Sequence, residues 1–200
     1  MGASRDEVLA TAEWVDEVFT SLDLSGAALV DRSFRGCRFE RVRCAEATVR
    51  GTIFEDCVFT DCDLTLLQVA GASFRDVQFV RSKLMGIDWT DIRGLAFAVG
   101  FEACVVSHCS FVDRKMHGAV FKDCKAHETN FMGVDLTKAV FDGTDLAGAR
   151  FMETVLVDAD LSRALNYVVD PRHNRLQRTR FSVEAALALV GELGVIVPEA

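Results

Sequence analysis

Large apolar residues recur at every fifth position over most of this chain of 200 residues. One series runs from Phe19 to Trp89, and a second series, displaced by two residues, runs from Phe101 to Leu161. Seven phenylalanines fall in the first series and six in the second, so these series hold thirteen of the chain's fifteen. A period of five matches neither the α-helix nor the coiled coil, whose repeats are about 3.6 and 3.5 residues. A helical repeat is therefore rejected.

The residue two positions before each large one is usually small. Residues two apart in an extended chain point to the same side, so both positions can face the interior. Because five is odd, the chain must turn a corner once in each pentapeptide to keep them there. Phenylalanine also recurs at a spacing of twenty, as in Phe19, Phe39, Phe59 and Phe79. The pattern predicts an all-β square solenoid of about seven coils, stacked at the ~4.8 Å strand spacing.

The positions where the repeat begins, slips and fades divide the chain into three segments. Residues 1–16 are expected to cap the first coil, and the composition leaves open whether this cap is a strand or a helix. Residues 17–165 form the β-helix, with an irregularity at 90–100 that is either a bulge or short loop in the stack or a loop that contacts a partner. Residues 166–200 form a C-terminal module of loop, helix and short strand.

The C-terminal module contains one amphipathic helix, predicted over Ser182–Leu193. Ser182 is a typical N-cap and Gly194 a typical helix stop, and a β-prone apolar tail follows. This helix either covers the last coil or forms a homodimer interface. The candidate interface residues are Val183, Ala186, Leu187, Val190, Leu193, Val195 and Val197.

The formal net charge of −8 argues against nucleic acid as a direct ligand, because phosphate binding requires lysine and arginine. An acidic protein more readily meets a basic surface. Six arginines lie between Arg32 and Arg50, whereas acids dominate from Ala126 to Leu161. These acids, all at outward positions, form either a solvated surface or a charged rod resembling a phosphate backbone; they are Glu128, Asp135, Asp142, Asp145, Glu153, Asp158 and Asp160.

No residue pattern in the chain indicates catalysis, a cofactor or a metal. Six of the seven cysteines occupy the small inward position, where cysteine serves as a small apolar residue. Cys37 and Cys57 should lie on adjacent coils, as should Cys104 and Cys124, although a cytosolic disulfide is not expected. The histidines are too far apart to share a metal. With no export signal and no apolar run of membrane length, we expect a soluble cytoplasmic protein that is not an enzyme.

The run Ala159-Asp160-Leu161-Ser162-Arg163 resembles the repeat unit of the pentapeptide-repeat family, and this resemblance extends from about Phe19 to Ala164. The family implies a right-handed quadrilateral parallel β-helix. The C-terminal region resembles one subgroup, which comprises the fluoroquinolone-resistance proteins and relatives that confer self-resistance to topoisomerase poisons such as albicidin. The residues that match it are Asn166, Tyr167, Asp170, Asn174, Thr179, Arg180, Phe181 and Ser182.

Membership of this subgroup would imply a head-to-head homodimer joined through the C-terminal module. It would also imply a rod that mimics B-form DNA and binds DNA gyrase or topoisomerase IV, either modulating the enzyme or protecting it from poisons. The long projecting loops of some quinolone-protecting members are absent here, so another toxin, or gyrase inhibition alone, stays open. The alternative is a general pentapeptide-repeat scaffold or effector that binds some other protein.

Overall fold

The computed structural model describes residues 3–94 and 97–196. They form a parallel β-solenoid of about eight coils followed by a short C-terminal helix, which confirms the predicted fold class. The stack is about one coil longer than the repeat count suggested. The strand containing Trp14 pairs with the next coil, and the strand containing Phe181 pairs with the coil before it, so both ends of the repeat extend further.

The solenoid is preceded by one helix and followed by another. In chain order the elements are α1 (Arg5–Ala10), β1 (Glu13–Val15), β2 (Val18–Thr20), β3 (Ser33–Arg35), β4 (Arg38–Glu40), β5 (Ile53–Glu55), β6 (Val58–Thr60), β7 (Ser73–Arg75), β8 (Val77–Val80), β9 (Val99–Glu102), β10 (Val120–Lys122), β11 (Asp160–Leu161), β12 (Arg180–Phe181) and α2 (Val183–Glu192).

Each strand pairs in parallel with the strand one coil away. The sheets have the orders β1-β3-β5-β7, β10-β9-β8-β6-β4-β2 and β11-β12. Partners are twenty residues apart, as in Phe39 and Phe59, except between β8 and β9, where Phe79 faces Phe101 at a spacing of twenty-two. The two extra residues of the 90–100 segment are therefore accommodated between these two strands.

Four inward columns of large side chains fill the solenoid. Column 1 contains Trp14, Phe34, Phe54, Phe74, Met116, Leu136 and Leu156; column 2 contains Phe19, Phe39, Phe59, Phe79, Phe101, Phe121, Phe141 and Leu161; column 3 contains Leu24, Cys44, Leu64, Leu84, Val106, Ala126 and Leu146; column 4 contains Leu29, Val49, Val69, Trp89, Phe111, Phe131 and Phe151. Phe121 stacks 4.9 Å from both Phe101 and Phe141, as the spacing of twenty predicts.

The small inward side chains close the corners by hydrogen bonding to the preceding coil. Thr144 Oγ1 donates to the carbonyl oxygen of Phe121 at 2.9 Å, and Thr129 Oγ1 donates to that of Val106 at 2.9 Å. The Cys124 thiol makes a longer contact of the same kind with the Phe101 carbonyl. All seven cysteines are buried free thiols. Small polar residues thus fit this position because each pairs a buried carbonyl that would otherwise lack a partner.

Both ends of the solenoid carry a helix. At the N-terminus, Ser4 and Glu7 form a capping box on α1, and Val8 is fully buried against the first coil. The guanidinium of Arg32 donates to the carbonyl oxygen of Leu9 at the end of this helix. At the C-terminus, Ser182 accepts a hydrogen bond from the Ala185 amide and caps α2. Each helix covers the backbone edge that an end coil would expose.

Candidate protein-binding surface

The seven acids of the Ala126–Leu161 stretch all have solvent-accessible side chains. Glu128, Glu153 and Asp158 stand at corners in the left-handed backbone region, with φ of 53°, 56° and 59°. Asp142 is also a turn residue, whereas Asp135, Asp145 and Asp160 lie on the flat sides of the solenoid. The acids therefore surround the rod and do not form one stripe. What distinguishes them is the neighbour that each carboxylate contacts.

Three of these carboxylates are paired with arginine from the following coil. Arg163 Nε lies 3.0 Å from Asp142, Arg178 Nε lies 2.5 Å from Asp158, and Arg180 Nη1 lies 3.4 Å from Asp160. The Arg178 guanidinium lowers the pKa of Asp158. At neutral pH each such pair has no net charge, so these three acids contribute little to the negative potential of the surface.

Three others are paired with histidine from the preceding coil. His117 Nε2 lies 2.6 Å from Asp135, His127 Nε2 lies 2.9 Å from Asp145, and His108 Nδ1 lies 3.6 Å from Glu128. The Asp135 and Asp145 contacts have the same design, in which the imidazole reaches diagonally across one side of the solenoid. Because a histidine is charged only when protonated, these carboxylates are compensated only at lower pH.

Hydrogen bonds hold Asp135 and Asp145 ionised. The side-chain amide of Asn166 donates to Asp145 at 2.9 Å and, against the opposing effect of burial, lowers the pKa of that carboxyl together with His127. Burial also opposes ionisation of Asp135, but the Thr137 hydroxyl, which donates at 2.6 Å, and His117 outweigh it and lower the pKa. Both carboxylates thus carry a full negative charge at neutral pH.

A second set of acids lies along two corners of the solenoid and has no cationic neighbour. Across residues 3–94 and 97–196, no lysine, arginine or histidine nitrogen lies within 4.0 Å of these side chains, which are Asp31, Asp56, Asp76, Asp91, Asp113 and Glu153. All except Asp91 occupy the left-handed turn residue of their pentapeptide, a conformation that aspartate tolerates better than most residues. We refer to these six residues as the free corner acids.

Most of the free corner acids lie outside the stretch that composition singled out. Net charge counted segment by segment does not detect these acids, because arginines of the same segments are paired with acids of neighbouring coils. Arg43 pairs with Asp23 at 2.6 Å, and Arg81 pairs with Asp61 at 2.8 Å. In both cases the partners are twenty residues apart. Aligning the sequence at this spacing would have identified these arginine-paired acids.

The predicted dimer residues lie on the solvent-facing side of α2. Val183 is 73% exposed and Leu187 is 49% exposed. Ala186, Leu193 and Val195 are also exposed, Val190 is half-buried, and Val197 lies outside the described residues. The opposite side of the helix, with Ala185 and Leu189, faces the last coil. Helix α2 therefore has two apolar sides, and within residues 3–94 and 97–196 only the side with Ala185 and Leu189 packs against the last coil.

Two polar contacts fasten α2 to the last coil. The Tyr167 hydroxyl accepts from the Ser182 amide at 3.2 Å and donates to the Leu161 carbonyl at 3.0 Å. At the other end, Arg172 bridges Asp170 and Glu192, and its guanidinium lowers the pKa of Asp170 to about 2. A cleft of about 560 Å³ separates the helix from Leu165 and Val168.

Within the described ranges, no cluster of three or more histidine, cysteine, aspartate or glutamate side chains has the geometry to hold a metal ion. Neither of the two helices in that part of the chain has the length and hydropathy needed to cross a bilayer.

A regular parallel solenoid with a five-residue period defines a repeat protein in which each coil packs on its neighbours. The family described as pentapeptide repeats matches in eight copies, over residues 37–76, 115–151 and 129–165. The chain is a pentapeptide-repeat protein. A search of curated protein sequences gave no significant match.

Several solved structures share this fold at low sequence identity. Two trypsin-treated forms of QnrB1, a plasmid-mediated fluoroquinolone resistance protein, each superpose with a TM-score of 0.63. One is 17% identical and covers 93% of this chain and 90% of its own; the other is 18% identical and covers 99% and 94%. HetL, a pentapeptide-repeat protein involved in heterocyst differentiation regulation in the cyanobacterium Nostoc, has a TM-score of 0.56 at 15% identity, covering 90% of this chain and 93% of its own.

Proposed function

We propose that this protein is a cytoplasmic binding protein that presents a DNA-like acidic surface to a type II topoisomerase, DNA gyrase or topoisomerase IV. In this role it would modulate the enzyme or protect it from poisons. The shared fold with QnrB1, a fluoroquinolone resistance protein, supports this proposal, as does the resemblance of the C-terminal residues to the same subgroup. Its action would depend on charge and shape and would need no catalytic residue or cofactor.

The observation that carries the proposal is the set of free corner acids. Asp56 and Asp76 follow each other at one corner on successive coils, and Asp113 and Glu153 lie at another. Where such acids fall on successive coils, as Asp56 and Asp76 do, the charges lie ~4.8 Å apart along the corner, whereas each DNA strand carries one every ~3.4 Å. The spacings are of the same order, and a rod with such corners offers a basic cleft a comparable field.

The rival proposal, a general scaffold for another partner, is favoured by a different observation. Many surface charges form pairs one coil apart, such as Lys122 with Glu102 at 2.6 Å and Arg35 with Glu55 at 3.6 Å. Such pairs cancel long-range potential, which a DNA mimic would retain. HetL shows that this fold also occurs in a protein involved in regulating differentiation.

A supercoiling and binding assay with purified gyrase separates the two proposals. We expect wild-type protein to associate with gyrase in a salt-sensitive manner, because screening weakens attraction between exposed charges. The variant Asp56→Asn, Asp76→Asn, Asp113→Asn should bind more weakly and with a shallower salt dependence. Folding should change little, since substitutions of exposed residues usually alter stability by less than about 0.5 kcal/mol.

The matched control is Asp142→Asn, Asp158→Asn, Asp160→Asn, which changes the net charge equally but at carboxylates already paired with arginine. We expect a smaller loss of gyrase binding than for the corner variant. Equal losses would show that only net charge matters. No salt-sensitive association of wild-type protein with gyrase or topoisomerase IV would leave the scaffold proposal standing alone.

We further propose that the protein is a homodimer joined through the exposed side of α2. Leu187→Asp should halve the mass measured by light scattering, because a charge buried in an apolar interface is costly. The control is Met132→Asp, on a residue of similar exposure (42% against 49%) on the side of the solenoid, which should keep the wild-type mass. Circular dichroism should show the β spectrum unchanged in both. A monomeric wild-type protein would remove the dimer from the proposal.

A further inference from the structure

The histidines of the second half of the solenoid repeat one arrangement. In residues 115–117 and 125–127, a lysine, an inward apolar residue and a histidine follow one another, and the next coil carries Asp135 and Asp145 respectively. Backbone pairing places each aspartate in register with the lysine, Lys115 with Asp135 and Lys125 with Asp145. The carboxylates nevertheless contact the histidines, at 2.6 and 2.9 Å. The same unit thus occurs on two opposite sides of one coil.

A third pair extends the arrangement. His108 stands at the corner after column 3 and lies 3.6 Å from Glu128, which occupies the same corner one coil later. Its amide donates to the carbonyl of His127, so these two histidines lie on adjacent coils. The three imidazole side chains are 41–59% exposed, so they exchange protons with solvent without any opening of the fold.

We propose that His108, His117 and His127 make the negative potential of this surface dependent on their protonation, so that the affinity for a basic partner falls when the three imidazoles are protonated. The inference rests on the proposed function for its partner, a polycationic protein surface. Its physical basis is the three histidine–carboxylate contacts.

The charge balance sets the sign of the effect. A free histidine titrates near pH 6.5. Hydrogen bonds lower the pKa of Asp135 and of Asp145, so both carboxyls stay ionised in this range. When the imidazoles are neutral, the three carboxylates attract cations. When it is protonated, each histidine adds one positive charge beside a carboxylate and cancels it. Protonation of the three histidines therefore offsets three negative charges of the surface, while the arginine-paired acids stay unchanged.

Other charged groups near the histidines change the size of the effect but not its sign. Asp76 borders the same cleft of about 180 Å³ as His117. Lys115 and Lys125 also lie beside these carboxylates, in backbone register with Asp135 and Asp145. By the backbone register, Gly86 and Ser107 precede His108 and His127 on the neighbouring coil and carry no charge. Among these residue types, histidine is the one whose ordinary change of charge falls between about pH 5 and pH 8.

The test uses poly-L-lysine as the partner, so that it does not depend on gyrase. Wild-type protein should bind it on the order of tenfold more weakly at pH 6.0 than at pH 8.0 at equal ionic strength, because each cancelled charge changes affinity by roughly twofold. The variant His108→Gln, His117→Gln, His127→Gln should bind with nearly equal affinity at both pH values. His173→Gln is the control and should retain the wild-type pH dependence, because its nearest acid, Asp170, is already paired with Arg172.

An unchanged pH dependence in the triple histidine variant would overturn the inference, provided that circular dichroism shows it folded. A second variant, Glu128→Gln, Asp135→Asn, Asp145→Asn, should bind poly-L-lysine at pH 8.0 about as weakly as wild type does at pH 6.0. Wild-type affinity in this variant at pH 8.0 would equally contradict the proposal. If gyrase fails to bind while the dependence on poly-L-lysine holds, the proposed function fails and the pH effect stands.

Discussion

The two halves of the solenoid solve the same packing problem with different sides of the coil. In the first stack, residues 12–92, the aromatic rings fill columns 1 and 2, which are adjacent. In the second stack, residues 99–181, they fill columns 2 and 4, which are opposite. The contact between rings of one coil is nevertheless similar, at 5.3 Å between Phe34 and Phe39 and 5.8 Å between Phe121 and Phe131, both edge-to-face. In both stacks a coil thus contains an edge-to-face pair of aromatic rings, but the pair occupies different columns in the two stacks.

The change of side occurs at the two-residue irregularity. Trp89 is the last large residue of the first series, and its ring contacts Phe74 of column 1 at 5.1 Å and stacks on Phe111 of column 4 at 6.0 Å. Phe97 packs 5.1 Å from Trp89. The aromatic side chains thus change from column 1 to column 4 through these residues. Among the described residues of this segment, Ile92 and Phe97 are buried, so these two side chains belong to the core.

The strongest way to break the continuity of the two stacks is to remove Trp89, which is fully buried. Trp89→Ala should cost about 3–5 kcal/mol of unfolding free energy. In a solenoid each coil is stabilised by its neighbours. We therefore expect the two stacks to unfold in separate transitions once the residue that joins them is lost. Calorimetry, and circular dichroism of the backbone signal, which does not rely on tryptophan, would detect two unfolding transitions in place of one.

The matched variant is Phe121→Ala, in the middle of the second stack. It should cost a similar amount, because Phe121 is also fully buried. However, it should not cause the two stacks to unfold in separate transitions, because the contacts of Trp89 with Phe74 and Phe111 remain. A single coincident transition in Trp89→Ala, or the same separation in both variants, would show that the irregularity is not the weak point between the stacks.

The repeat itself could be predicted from the sequence because it depends on local periodicity. A large residue every fifth position and phenylalanine at twenty define the corners, the coil and the stacking of Phe121 between Phe101 and Phe141. The helix Val183–Glu192 and its cap at Ser182 follow from equally local signals. The five-residue pattern repeats the inward position many times, so a few exceptions do not obscure it.

The candidate surface was harder to predict because it depends on pairs of residues far apart in sequence. Asp158 and Arg178, or Asp135 and His117, are neighbours only after the coil is closed. Counting charges along the chain therefore overestimated the free negative charge of Ala126–Leu161 and overlooked Asp56 and Asp76. The polar anchor Tyr167, which matched a family pattern in sequence, receives its physical role only from its contacts with Leu161 and Ser182.

Arg114 permits a finer test of how the irregularity is held. It is the exception among the small inward positions of the second series, and its guanidinium donates to the carbonyl oxygens of Thr90 and Ile92. Arg32 occupies the equivalent position before column 1 in the first stack and donates to Leu9 of the N-terminal helix. In both places an arginine side chain pairs with carbonyls of a segment that has left the regular repeat.

We expect Arg114→Leu to cost about 1–3 kcal/mol, since it leaves partly buried carbonyls without a donor. This is less than the cost of Trp89→Ala, because the aromatic contacts between the stacks remain. Amide hydrogen exchange should accelerate at residues 90–94, where local opening becomes easier, with little change in the coils on either side. Arg32→Leu is the control and should accelerate exchange in α1 while leaving residues 90–94 protected. Equal protection of residues 90–94 in wild type and Arg114→Leu would show that the aromatic core alone holds the irregularity in place.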